Sequence, residues 1–170
     1  MRTNAPDLGA DLLVDFLNTL DVEEGTDAID DRGEFAAWAA KHGVAPGDPA
    51  ETKRVRDALR DVIDGEGASL PSVELVTSCG ERTVGLTART AAEAAVASSV
   101  ILSIQGKFER VKLCGADDCR WAFYDQSRNG SRTWCSMGVC GNRQKARTYR
   151  AKQGDEVETA NEAEKARNAE

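Results

Sequence analysis

The chain has 170 residues, 41% hydrophobic and 5% aromatic, enough apolar content for a buried core and against wholesale disorder, in one domain or one domain with a small appendage. Its formal net charge of −7 hides an uneven distribution: residues 1–105 carry 9 Lys+Arg against 19 Asp+Glu, residues 106–153 carry 11 against 4, and residues 154–170 carry 2 against 6, so a basic module sits between two acidic segments and a nucleic-acid partner is not excluded. No run reaches the roughly 18 apolar residues of a membrane span and no secretory signal is visible, so the chain reads as soluble, cytoplasmic and without a membrane partner.

In chain order, Leu12, Leu13, Phe16, Leu17 and Leu20 share one face of a helix predicted over Asp11–Leu20. A second helix runs from Arg32 to His42, with Asp31 and Glu34 as a reciprocal cap, Phe35, Trp38 and Ala39 inward, and Gly43 at its end. A third opens on Asp48 and Pro49 and continues through Val55, Leu59, Val62 and Ile63 to Gly65. The stretch Leu70–Leu86, broken by Pro71, Gly80 and Gly85, reads as a short helix and then a strand near Val84–Leu86. Thr90 and Glu93 cap a fourth helix that reaches Gln105, with Val96, Val100, Ile101 and Ile104 inward and Gly106 closing it. Phe108 to Leu113 alternate with a period of two, as a strand leading into Cys114 does.

Cys114, Cys119, Cys135 and Cys140 form two Cys-x4-Cys pairs separated by fifteen residues. Two close pairs around a hairpin-length insert suit one tetrahedral zinc ion, with no position open for water, so the metal is structural. Within the insert, Trp121 and Phe123 alternate on one strand, Asn129-Gly130 makes a turn, and Arg132–Trp134 return toward Cys135. Disulfides are the other reading, disfavoured in a cytoplasmic context, and an iron–sulfur cluster usually has different spacings. Replacing one of these cysteines is expected to unfold the C-terminal third and leave the helical part intact. Cys79 lies outside the set and reads as a small buried residue.

After Cys140 a helix capped by Asn142 would stack Arg143, Arg147 and Arg150 on one face, with Lys145 and Lys152 opposite and no acidic residue between 141 and 153. Like charges at this spacing repel, which points to an external anion such as phosphate. Asp125, Ser127, Arg128, Asn129 and Arg132, around the hairpin tip, either add hydrogen-bonding groups for phosphate or base edges or make ordinary turn contacts. A solvated basic helix, or one met by the acidic tail, remains the alternative.

These residues resemble a known family. Cys114-x4-Cys119, Trp121-x-Phe123-x-Asp125-x-Ser127-x-Asn129-x-x-Arg132-x-Trp134-Cys135-Ser136-Met137 and Cys140-Gly141-Asn142-Arg143 look like the CGNR-type zinc finger, and Asp15-Phe16-x-Asn18-Thr19 with the Trp38 helix resembles the ABATE domain that precedes it. The resemblance implies a stress-induced bacterial transcription regulator whose finger binds DNA. Asp15, Asn18 and Thr19 either line a pocket for a small-molecule effector or make the helix-end and inter-element hydrogen bonds that fix the fold.

The fold class expected is α+β. A mainly helical, acidic ABATE-like domain with a few short strands occupies residues 1–106, a tetracysteine β-hairpin-plus-helix finger 107–153, and an acidic tail 154–170. The function expected is a zinc-dependent regulator that binds duplex DNA, with an N-terminal domain that senses a signal or forms a homodimer. The alternatives are an RNA binder, with Trp121, Phe123, Tyr124 and Trp134 stacking on bases, and a zinc-stabilised protein-interaction module without nucleic acid. No catalytic motif stands out, and an enzyme is not expected.

Overall fold

The structure, a computed structural model, describes residues 6–151 and 153. Lys152 and the acidic tail at 154–170 lie outside the described residues. The chain forms two compact units, Met1–Cys135 and Ser136–Glu170, and its class is α+β.

Helix α1, Ala10–Leu17, buries Leu12, Leu13, Phe16 and Leu17. It stops short of Leu20 because Asn18 takes the C-cap and the Thr19 hydroxyl donates back to the Phe16 carbonyl. Leu20 instead opens a short antiparallel pair, β1 Leu20–Asp21 with β2 Thr26–Asp27. Helix α2, Arg32–Lys41, begins as expected with Asp31, whose carboxylate accepts from the Gly33 and Glu34 N–H groups. Of the predicted reciprocal cap, only this Asp31 half forms among the described residues. Helix α3, Pro49–Asp64, has the Asp48 cap and ends on Gly65 at φ 79, a left-handed position that suits glycine.

No helix lies between Leu70 and Leu86. Strands β3 Val76–Cys79 and β4 Val84–Thr87 pair there as an antiparallel hairpin. Cys79 sits on its exposed side and is not the buried residue expected. Helix α4, Ala91–Ile104, carries the Thr90 cap, and every residue from 91 to 99 is buried. A helix apolar on all sides belongs inside the core, and α4 packs against α1, α3 and β4. Its small Ala and Ser side chains allow that close approach. The last turn runs past the core, so Ile104 is 82% exposed instead of inward, and Val100 and Ile101 are half-buried.

The segment after Gly106 departs most from expectation. Phe108–Arg110 form a 3-10 turn, and only Val111–Leu113 form strand β5. Strand β6, Ala122–Tyr124, pairs antiparallel with β5 in the register Val111↔Tyr124, Lys112↔Phe123, Leu113↔Ala122. The hairpin therefore joins the two sides of the first cysteine pair. Arg132–Trp134 form no strand, although the turn around Asn129 and Gly130 is present.

Val111, Leu113 and Ala122 lie in the same buried cluster as Leu13, Phe16, Leu17, Val55, Leu59, Ala95 and Leu102. Strand β5 packs on α3 and β6 on α1. The first half of the cysteine region is thus part of the helical core, which changes the expectation that it would unfold alone.

The second unit begins with a π-helical turn, Met137–Gly141, capped by Ser136, and residues 142–151 continue as α5. Asn142 is already helical, at φ −72 and ψ −39, so it is not the cap, and its amide donates to the Gly138 carbonyl. No helix among the described residues is long and apolar enough to cross a membrane.

This packing makes a direct prediction. Leu113→Ala, in a strand attached to the cysteines, should destabilise the helices by about 2–5 kcal/mol, read as a lower midpoint in denaturant by far-UV circular dichroism. Unchanged helix stability would show that β5 is not part of the core.

Candidate metal centre

The Sγ atoms of Cys114, Cys119, Cys135 and Cys140 all lie within 4.8 Å of one another. A tetrahedron of sulfurs about 2.3 Å from a zinc ion has edges of about 3.8 Å. The Cys119 and Cys135 sulfurs are 3.7 Å apart, far beyond a disulfide bond and close to that edge. Three of the four cysteines are buried and Cys135 is half-buried. The donor set therefore fits one zinc ion held by four thiolates, and the metal's contribution is to cross-link the loops that carry them.

Each cysteine is placed by an identifiable local structure. Strand β5 delivers Cys114, whose N–H donates to the Trp121 carbonyl at 2.9 Å and extends the ladder. The chain then turns at Ala116, whose carbonyl accepts from the N–H groups of Cys119 (2.9 Å) and Arg120 (3.0 Å). Arg120 has φ 54, the only positive φ outside glycine among the described residues, a conformation that costs on the order of 1 kcal/mol. Gly115 lets the chain before Cys135 lie against it: its N–H donates to the Thr133 carbonyl at 2.9 Å, and a Cβ would stand 2.9 Å from the Thr133 methyl.

Arg132 fixes Cys135. Its guanidinium donates to the carbonyls of Trp134 (3.3 Å) and Cys135 (2.7 Å) and stacks over the Phe123 ring at 5.0 Å. Arg120 likewise donates to the Cys114 carbonyl at 3.4 Å. Two arginines thus hold the carbonyls of ligating cysteines, where positive charge also offsets the net −2 of a zinc tetrathiolate.

The loop between the cysteine pairs is organised by Asp125, which is fully buried. One carboxylate oxygen accepts from the Ser127 N–H, and the other from the Arg132 N–H and the Lys112 ammonium, each at 2.9 Å. Lys112 also donates to the carbonyls of Gly130 and Arg132, and Arg110 to those of Asp125 and Ser127. The Ser127 hydroxyl leads in holding the Asp125 carboxyl well below the usual carboxylate range. Burial opposes it, while Lys112 and the two backbone N–H groups reinforce it. Of the two readings the sequence allows for Asp125, external contacts and turn contacts, the structure shows the second.

The other residues singled out from the sequence fall into two groups. Arg128 is exposed at the turn beside Asn129, and Arg143, Lys145, Arg147 and Arg150 are exposed on α5. Arg132 is occupied with Cys135, and Lys152 is outside the described residues. Asp15, Asn18 and Thr19 each have hydrogen-bonding partners of their own. Asp15 pairs with the Lys41 ammonium and the His42 imidazole, each at 2.7 Å. Burial works to raise the Asp15 carboxyl, but these partners outweigh it and hold it below its ordinary value. Thr19 donates to Phe16 and accepts from Arg56 at 3.3 Å. Asn18 meets Ala122 reciprocally, its amide donating to the carbonyl at 3.0 Å and its oxygen accepting from the N–H at 2.7 Å. One cleft of the first unit, ≈ 610 Å³, is lined by Ile29, Asp30, Arg32, Phe35, Pro46 and Pro49.

Sequence reading missed Arg60. It is 8% exposed and donates to the Leu17 carbonyl at 3.0 Å and the Arg120 carbonyl at 2.8 Å. Its position one residue after Leu59 and three before Ile63, on the inward side of α3, was the available signal for a buried cation.

Residues 10–102 match the ABATE family, described as "Putative stress-induced transcription regulator", and residues 110–153 match the CGNR zinc finger family. No curated protein matches the chain.

The Asp125 arrangement predicts a pH dependence. Because folding lowers the carboxyl below the ordinary aspartate range, the stability it gives is fully present above that range and lost as pH falls through the folded value. Asp125→Asn should be less stable than wild type at neutral pH, and the gap should narrow as the pH drops below about 4. The measurement is the difference between the two proteins in denaturant midpoint, followed across pH. A gap independent of pH would contradict the charged assignment.

Proposed function

The chain belongs to the ABATE family and carries a CGNR zinc finger behind that domain, and from this we propose that it is a zinc-dependent transcription regulator that binds duplex DNA. Neither family is an enzyme family, in keeping with a binding role. The observation that carries the proposal is α5: Arg143, Lys145, Arg147 and Arg150 are all exposed on a helix that continues directly from the turn bearing Cys140. Zinc would fix the start of that helix, and the cations along it suit a phosphate backbone. Arg143, Arg147 and Arg150 share one face, and Arg128 adds a further exposed cation from the turn.

Duplex DNA is favoured over single-stranded RNA by the aromatic residues. Phe123 is buried, and Tyr124 and Trp134 are half-buried, which leaves Trp121 alone, at 38% exposure, of the four that base stacking would use. The N-terminal ABATE domain would supply sensing or self-association. In this scheme residues 1–106 receive the signal, 107–153 bind nucleic acid, and the tail at 154–170 competes with it for the basic helix.

The test is duplex binding over a salt series for wild type and for the triple variant Arg143→Ala, Arg147→Ala, Arg150→Ala. Each phosphate contact contributes roughly 0.9 to the slope of log K against log salt. The triple variant should lose up to about three contacts' worth of slope and bind more weakly at every sequence. Equal slopes, or no duplex binding by wild type, would overturn the proposal and bring single-stranded RNA or an acidic protein partner forward.

A further inference from the structure

The end of α1 and the first cysteine pair are joined by polar bonds that neither family assignment accounts for. Leu17 is the last residue of α1 and Asn18 its cap. Carbonyls at a helix C-terminus lack partners within the helix and draw cations. Arg60, from α3, donates to the Leu17 carbonyl with one nitrogen and to the Arg120 carbonyl with the other. One buried guanidinium therefore ties a helix end to the residue after Cys119. No carboxylate forms an ion pair with Arg60 among the described residues, so its position depends on those two carbonyls. One residue further on, Asn18 closes a two-bond ring with Ala122 along the edge of β6. Asp64, the last residue of α3, pairs with the Arg120 side chain. The left-handed backbone of Arg120 is thus held from both α1 and α3, between Cys119 and the strand that runs beside Cys114.

We infer that Asn18 and Arg60 are positioning residues of the zinc centre: the helical domain pre-forms the Cys114–Cys119 loop, so that zinc binding and the order of α1 and α3 are thermodynamically linked. An unsupported loop would have to adopt the Arg120 conformation when the metal binds, whereas this one already holds it. Linkage is reciprocal. A ligand that shifts α1 or α3 changes the hold on zinc by the same factor by which zinc changes the affinity for that ligand. The signal received by the helices would reach the finger through this route.

The test uses the full chain. Asn18→Ala, Arg60→Met and wild type compete for zinc with a chromogenic chelator, and helix content of the zinc-loaded proteins is followed alongside. Each variant should keep its helices when loaded and hold zinc roughly 10–100-fold less tightly, the range for residues that support metal ligands. Asn18→Asp, which keeps the acceptor for the Ala122 N–H and loses the donor, should fall between Asn18→Ala and wild type. Folded variants with wild-type zinc affinity would overturn the inference. Should the variants fail to fold, amide hydrogen exchange of wild type with and without zinc decides. Loss of protection in the last turn of α1 and around Arg60 on zinc removal supports the link; unchanged protection there, while residues 114–120 loosen, overturns it. No nucleic acid enters either measurement, so the outcome is separate from that of the salt series.

Discussion

Strand β5 is three residues long, and most of the molecule's organisation passes through it. Val111 and Leu113 enter the core formed by α1, α3 and α4, while the residue that follows is the first of the four cysteines. Burial of apolar side chains is the dominant favourable term in folding, and it leaves β5 little freedom to move relative to the helices. The position of Cys114 follows. Because β6 pairs with β5 in fixed register, the Cys114–Cys119 loop between them is closed at its base by the same packing.

The polar groups around this hairpin answer one requirement: a buried donor or acceptor must find a partner. Arg56, 2% exposed, meets Asp27 at 2.7 Å. Arg60 has carbonyls, and Lys112 has Asp125 and two carbonyls. Arg60 and Lys112 immobilise backbone that is otherwise irregular: the end of α1, the exit from the first cysteine loop, and residues 125–132. Irregular chain near a metal site needs such supports, since no ladder of strand or helix bonds runs through it. Trp38 is the exception, its indole N–H being the one buried side-chain polar atom without a hydrogen-bond partner among the described residues. Its ring is nonetheless well placed, against Phe16 and His42.

Local signals that act over a few residues were legible from the sequence. Asp48-Pro49, Thr90, Asp31 and Gly65 mark helix ends through bonds to their own neighbours, and each stands where expected. The four cysteines were legible for a similar reason, because thiolate ligands come in closely spaced pairs. What the sequence could not supply was long-range pairing. Trp121 and Phe123 alternate as a strand does, but alternation does not name the partner, and β5 rather than residues 132–134 takes that place. Ile104 was misplaced because α4 is apolar on every side, so periodicity carries no direction. Asp15, Asn18 and Thr19 stood out as polar residues on an apolar helix. That signal was real, yet their partners at Lys41, His42, Ala122 and Arg56 are 26, 27, 104 and 37 residues away.

The inferred coupling of the Cys114–Cys119 half of the zinc centre to the helical core runs through β5, β6, Asn18 and Arg60. Its most direct test is thermal unfolding of the zinc-loaded protein, followed simultaneously by helix content and by zinc release into a chromogenic chelator. The two signals should change together in a single transition. Release of zinc in an earlier transition, with helix content and stability unchanged until a later one, would contradict it.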